Sequence, residues 1–209
     1  MSKNETLLNV EEALSIVLRE TATFGIEEVD LKESYGRVLK ENISADRDMP
    51  PFNRVSMDGI AVKTSVFESG RRDFLVENIQ AAGSEQLVLG NPDHCIEAMT
   101  GAMLPIGTDA IIPYELIRIE EGVAHVNVEA LQYFQNIHKK GLDRKENDLL
   151  IAMNTKISTA EIGVLATVGK AKVKVAALPK VAIVSTGDEL VEVDELPNPY
   201  QIRKSNVHT

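Results

Sequence analysis

Residues 50–62 read Pro50-Pro51-Phe52-Asn53-Arg54-Val55-Ser56-Met57-Asp58-Gly59-Ile60-Ala61-Val62, and they mark where the chain changes character. Two consecutive prolines fix φ and remove two backbone donors, so the stretch from Asp46 to Val55 reads as a boundary or an ordered loop. Asp58-Gly59 is a common turn pair, and Ile60-Ala61-Val62 then opens a run of short strands. From Gly59 to Val128 the segments are short, β-branched and separated by Gly, Pro or Asn: Phe74-Leu75-Val76, Ala110-Ile111-Ile112, Leu116 to Ile119 and Val123 to Val128. The last two straddle Glu120-Glu121-Gly122, a hairpin signal, so this region is expected to be a small β-rich module.

Toward the N-terminus, Asn9 followed by Glu12 has the pattern of a capping box. Val10, Ala13, Leu14, Val17, Leu18 and Thr21 then recur at helical spacing, which predicts an amphipathic helix. Toward the C-terminus, Lys139 to Lys145 breaks the strand pattern. Ser158-Thr159-Ala160-Glu161 is a second capping box, opening an apolar helix from Ile162 to Val168 that Gly169 ends. Lys172-Val173-Lys174-Val175 alternates as a half-buried strand, whereas Lys180-Val181-Ala182-Ile183-Val184 suits a strand buried on both faces. A parallel strand of that kind needs covering helices, and the 25 residues after Val184 are too few for a doubly wound domain. Residues 179–209 are therefore expected to be the opening of a domain.

Composition narrows the function classes. Lys and Arg total 22 against 32 Asp and Glu, a formal charge of −10, and such a field repels nucleic acid phosphates and anionic membranes. Trp is absent and aromatic residues make up 4%, which weakens any reading based on base stacking. Apolar stretches such as Gly163 to Val168 are far short of the ~20 residues that span a bilayer. The single cysteine, Cys95, has no internal disulfide partner, and the start Met1-Ser2-Lys3-Asn4-Glu5 lacks the features of a secretory signal. A cytoplasmic protein with a small molecule, a cation or another protein as partner is the expectation.

Four segments could carry chemistry, each beside a plainer reading. Asp58, held by the proline-fixed loop, is either a positioned carboxylate or a turn former. The run Met99-Thr100-Gly101-Ala102 through Asp109 exposes backbone N–H groups beside a Thr hydroxyl, a setting for an oxyanion, or it is a loop between strands. Ser185-Thr186-Gly187-Asp188-Glu189-Leu190 follows the expected buried strand. Loops in that position bind ligands in open α/β sheets, and two adjacent carboxylates suit Mg2+, but acids also decorate helix N-termini. His138 to Lys145, with four Lys or Arg residues, could contact phosphate or be a solvated charged loop. His94, His125 and His208 show no metal-ligand spacing with one another or with Cys95.

Taken together, the order and spacing of these segments resemble one family, the molybdopterin molybdenumtransferases of the MoeA and gephyrin E-domain type. The matching residues are Pro51-Phe52 with Ser56-Met57-Asp58-Gly59, Met99-Thr100-Gly101-Ala102 with Pro105 and Gly107, Asn136-Ile137 with Gly141 and Asp143, and Ser185 to Leu190 with Gln201-Ile202-Arg203 and Ser205-Asn206. The similarity covers nearly the whole chain. It implies a mixed α and β, multidomain protein. Residues 1–45 and 145–178 would form one discontinuous domain, residues 46–144 an inserted β-rich domain, and residues 179–209 the incomplete start of an α/β molybdopterin-binding domain.

The resemblance further implies molybdenum cofactor biosynthesis: insertion of molybdate into adenylylated molybdopterin with release of AMP, assisted by Mg2+. Carried over by position, the catalytic residues would be Asp58, Thr100, Asp143 and Glu189. Ser56, Gly101, Ser185, Thr186 and Gly187 would bind the substrate, and Asp188 and Glu189 the metal. The implied partners are a second copy of the chain, with Asp58 and Thr100 from one subunit facing Glu189 of the other, and the upstream molybdopterin adenylyltransferase. Four positions depart from the family pattern: Ile60 in place of Tyr, Glu97 in place of Arg, Leu142 in place of Glu and Lys204 in place of Asp. A carboxylate at Glu97 should weaken binding of an anionic substrate, and Leu142 removes a possible cation partner. The alternative is therefore a non-catalytic dimerisation or binding module built on the same scaffold. A hydrolase on an unrelated α/β fold would rest on the Thr186-Gly187-Asp188-Glu189 loop alone. On the transferase reading, the fragment is expected to be catalytically incomplete by itself.

Overall fold

The computed structural model describes residues 8–21 and 23–208. Helix α1 (Val10–Glu20) starts at the expected capping box, with the Asn9 side chain accepting the Glu12 N–H at 2.8 Å and the Glu12 carboxylate accepting the Asn9 N–H at 3.1 Å. None of its residues is buried; Val10, Leu14, Val17 and Leu18 all face outward.

After α1 the chain runs outward along one arm and returns antiparallel to it. Strand β1 (Ile26–Asp30) pairs with β12 (Lys172–Ala176), β2 (Ile43–Ser44) with β11 (Leu149–Ile151), and β3 (Arg54–Val55) with β10 (Ile137–His138). Bridges at Val38↔Lys156 and Met49↔Arg144 continue the nesting between them. At the inner end, Leu39, Ile43, Ile151, Ile157, Val173 and Val175 pack around Leu165 of α3 (Thr159–Thr167). Each such fully buried aliphatic side chain contributes about 1.5–3 kcal/mol relative to exposure. Helix α3 opens at Ser158 with the second capping box, and Gly169 follows with φ of +70°.

Between β3 and β10 the chain forms a six-stranded mixed sheet. Its strands are β4 (Gly59–Val62), β5 (Asp73–Gln80), β6 (Cys95–Ala98), β7 (Ala110–Pro113), β8 (Ile117–Glu120) and β9 (Val123–Val126), in the order β7-β4-β6-β5-β9-β8, with the short helix α2 (Thr64–Glu68) between β4 and β5. Only the β5–β6 pair is parallel. The β8–β9 hairpin turns at Glu121 and Gly122, both with positive φ, as a two-residue hairpin with the right-handed twist demands. Strand β4 is buried along its whole length, and its period of two divides it between clusters. Ile60 and Val62 join Phe67, Phe74 and Ile112 on one face, while Ala61 joins Val55, Ala98, Ala102 and Ile111 on the other.

Two sequence expectations are corrected. Lys180 to Val184 forms no strand, and Val181, Ile183 and Val184 are 75%, 64% and 77% exposed. A β-branched run is stable as a buried strand only where neighbours complete its ladder and cover its faces, and among the described residues none does. The regular structure beyond it is a parallel pair, β13 (Leu190–Val191) with β14 (Ile202–Arg203). Gly59, expected in a turn, is instead the first residue of β4. A Cβ there would overlap the Ile112 carbonyl and lie 2.8 Å from Pro113 Cα, so glycine serves the close approach of β7 rather than a special φ.

Candidate functional site

Strand β3 is the hub of the site. On one side Arg54 and Val55 pair with His138 and Ile137 of β10. On the other, Val55 donates to the Ala102 carbonyl, Gly101 donates to that of Val55, both at 2.9 Å, and Arg54 bridges Met103. Ser56, the next residue, donates its N–H to the Asn136 carbonyl at 3.1 Å. Three distant parts of the sequence thus meet at one short strand, and the buried side chains of Val55, Ala98, Ala102 and Leu104 hold them there.

Asp58 and Thr100 are brought into contact. The Asp58 carboxylate accepts the Thr100 backbone N–H at 2.6 Å. That N–H, together with the Thr100 hydroxyl, holds the Asp58 carboxyl below its ordinary range although it lies at the surface. Gly101 adopts φ of +88°, where an L side chain would be strained. A neighbouring loop supports this one through a residue that sequence reading missed. Buried Gln80 donates to Ser84 Oγ at 2.8 Å and accepts the Leu87 N–H at 2.7 Å, while its carbonyl accepts the Met99 N–H at 3.1 Å.

Glu97 lies directly across from Ile60 on β6 and β4. Its carboxylate accepts the phenol of Tyr114 at 2.6 Å, and Tyr114 in turn donates its N–H to the Asp58 carbonyl at 3.1 Å. Burial first, then the Glu97 bond and charge, push the Tyr114 phenol well above its usual range, so it stays a donor. The acid expected to face an anionic ligand therefore has a neutral partner of its own. Ile60 is wholly buried in the core.

Asp143 sits on the loop that returns to the arm. Its N–H donates to the Met49 carbonyl at 2.9 Å, and buried Gly141, with φ of +65°, donates to the Pro50 carbonyl at 2.9 Å. Its carboxylate meets His138 Nε2 at 2.9 Å. Asp143, Met49 and Thr167 line both of two adjoining clefts of about 600 and 460 Å3; Arg54, Asp46 and Arg47 line the smaller, Leu150 and Val164 the larger.

Ser185, Thr186 and Glu189 line a separate cleft of about 270 Å3 with Arg203, Lys204, Ser205 and Asn206. Gly187 and Asp188 belong to the same loop but do not line the cleft, and Asp188 is exposed. None of Asp58, Thr100 or Asp143 lines it, so within one chain the Ser185–Glu189 loop forms its own site. Among the described residues there is no cluster of three or more His, Cys, Asp or Glu with metal-binding geometry, and no helix is long and apolar enough to cross a membrane. Arg54, Tyr114 and Gln80 were not singled out from the sequence, and His138, which lies in the His138 to Lys145 segment, was not expected to join Arg54 to Asp143.

The family described as the MoeA N-terminal region (domain I and II) matches residues 8–169. The chain is 37% identical over 203 residues to a molybdopterin molybdenumtransferase of Synechocystis, covering 97% of this chain and 52% of that protein. It is 33% identical over 214 residues to one of Bacillus subtilis, covering 99% and 50%. A crystal structure of a Pyrococcus molybdopterin biosynthesis MoeA protein superimposes with a TM-score of 0.80 at 32% identity, covering 97% of this chain and 53% of that one. The chain thus spans about half the length of the curated relatives it matches. With the family match covering most of its residues, this chain belongs to the family of the MoeA N-terminal region.

Proposed function

We propose that this chain is the N-terminal portion of an enzyme that inserts molybdate into the dithiolene of adenylylated molybdopterin and releases AMP. The observation that carries the reading is the Asp58–Thr100 contact, which joins two residues implicated by resemblance. A carboxylate held below its ordinary range is a poor base but remains anionic, so Asp58 serves to orient and to carry charge rather than to shuttle a proton. The N–H groups of Thr100, Gly101 and Ala102 go to the Asp58 carboxylate and to the Val55 and Met99 carbonyls, so the part of Thr100 in this reading is to hold Asp58 in place rather than to offer its loop to an oxyanion. Asp143 contributes a second anionic group at the shared wall of the two clefts.

The Ser185–Glu189 loop would bind the phosphate portion, with Arg203 and Lys204 lining the same cleft to balance its charge. Of the Asp188 and Glu189 carboxylates, Glu189 lines this cleft and Asp188 does not, so Mg2+ would be held there by Glu189 and by substrate phosphate oxygens rather than enclosed by protein. When bound, Mg2+ would offset phosphate charge during phosphoanhydride cleavage. Because Asp58 does not line the cleft that Glu189 lines, a homodimer that brings them together is part of the proposal. The apolar face of α1, which none of the described residues buries, is a surface that such an assembly would cover. The chain alone, spanning about half of its relatives, is proposed to be inactive in the full reaction, and the upstream adenylyltransferase would hand over the substrate.

The test is calorimetric binding of adenylylated molybdopterin, with and without Mg2+, to the natural gene product, followed by AMP release on adding molybdate. Cation-dependent binding with molybdate-triggered release is expected; Asp58→Asn and Glu189→Gln should each abolish that release. If nothing binds, the non-catalytic scaffold reading, which Glu97 and Leu142 favour, takes its place. Light scattering should give a dimer, and a monomeric mass at micromolar concentration would count against the shared site.

A further inference from the structure

We infer that His138, locked in one tautomer by Arg54, is a positioning residue for the Asp143 carboxylate. The inference deepens the proposed function and rests on it for the role of Asp143.

The β3–β10 register puts Arg54 directly opposite His138. Arg54 Nη2 lies 3.2 Å from His138 Nδ1, and His138 Nε2 lies 2.9 Å from Asp143 Oδ1. A guanidinium can only donate, so Nδ1 must be the accepting lone pair. The proton of the neutral ring then resides on Nε2, where it donates to the carboxylate. The chemistry of the two partners thereby determines the tautomer, and the three side chains form a directed chain from cation to ring to acid.

The backbone prepares the same arrangement. Asp143 is tied to Met49 and Gly141 to Pro50, while Lys140 donates its N–H to the Asn53 side chain at 3.0 Å. The loop that carries Asp143 is thus clamped to the strand-entry residues that precede Arg54. The imidazole is 27% exposed and the Asp143 side chain 55%, so the ring stands behind the acid while the acid faces the clefts. A carboxylate on a loop has two freely rotating oxygens; one held by a fixed N–H leaves the other aimed. The other charged groups of the two segments have partners of their own: Lys140 lies 3.9 Å from Asp48, Lys139 sits over the Phe134 ring, and Arg144 donates to the Asp143 carbonyl at 2.8 Å.

The test begins with long-range 1H–15N spectra of the histidine rings in the 209-residue chain. His138, assigned by its loss in His138→Gln, should show a pyridine-like Nδ1 and a protonated Nε2. Arg54→Met should convert it to a mixture of tautomers. A mixture, or a protonated Nδ1, in the unaltered chain overturns the inference. The second arm measures molybdate insertion by the natural gene product. His138→Ala should lower kcat, by up to about a hundredfold, with little change in KM, and His138→Gln, whose amide N–H can reach the carboxylate, should restore most of it. If Asp143→Asn leaves turnover unchanged, the role of Asp143 in the proposed function falls, whatever the ring spectrum shows. If Asp143→Asn abolishes turnover while His138→Ala costs nothing, the positioning inference alone falls.

Discussion

Asp58 and Thr100 are 42 residues apart in the chain, yet the Asp58 carboxylate accepts the Thr100 backbone N–H at 2.6 Å. The consequence is a linkage between protonation and the shape of the Thr100 loop. The N–H and hydroxyl of Thr100 lower the Asp58 pKa from its ordinary 3.8. A group with a depressed folded value contributes stability above its unfolded pKa and loses it as pH falls through the folded one. The Thr100 amide resonance should therefore titrate with a midpoint below 3.8; a midpoint at or above that value would show the contact is not maintained in solution.

Gly59 is required for a different reason than its neighbour Asp58. Because any Cβ would collide with the backbone of β7 at Ile112 and Pro113, Gly59→Ala should cost about 3 kcal/mol, the upper end of ordinary overpacking. Urea unfolding measures it directly. A loss of less than 1 kcal/mol would mean that β7 gives way without disturbing β4.

Cys95 is expected to be inert. Burial, followed by the charges of Glu97 and Glu77, pushes its thiol up to about 12, so at pH 8 almost no thiolate exists to react. An aromatic disulfide reagent should modify the chain only once denaturant unfolds it. Rapid labelling of the folded protein would show that β6 opens at its Cys95 end.

The capping box at Ser158 can be read as a stability increment. Ser158 Oγ accepts the Ala160 N–H at 3.2 Å, and the Glu161 carboxylate accepts the Ser158 N–H at 2.8 Å. Ser158→Ala should cost about 1 kcal/mol, and Ser158→Asp should retain most of the cap. Equal losses in both variants would place the effect outside the cap.

Much of the architecture was legible because it rests on local rules. The Asn9 and Ser158 capping boxes start the helices they predict. The Glu121-Gly122 turn joins the expected hairpin, and Lys172–Ala176 alternates between buried and exposed as written. Two readings failed where a local pattern stood for a tertiary condition. Val181 to Val184 has strand composition but no partner among the described residues, and Asp58-Gly59 has turn composition but answers to the neighbouring strand. Of the candidate site residues named through resemblance, the structure brings Asp58 and Thr100 into contact and sets Asp143 and the Ser185–Glu189 loop in separate clefts. Arg54, Tyr114 and Gln80 were not legible, and His138 was named only as the start of a basic segment, since nothing in the sequence announces that strand register sets Arg54 against it or Tyr114 against Glu97.

By itself, then, the sequence determined where helices and turns begin, which faces are apolar, and which short segments could bear chemistry, because hydrogen-bond capping and side-chain periodicity act within a few residues. Only the tertiary structure decided that Arg54 meets His138, that Glu97 is matched by a phenol, and that Asp58 closes on Thr100. Those contacts depend on strand register across β3, β4 and their neighbours. Register is set by burial of whole faces and by backbone approach at Gly59, quantities that do not exist until the chain has folded back on itself.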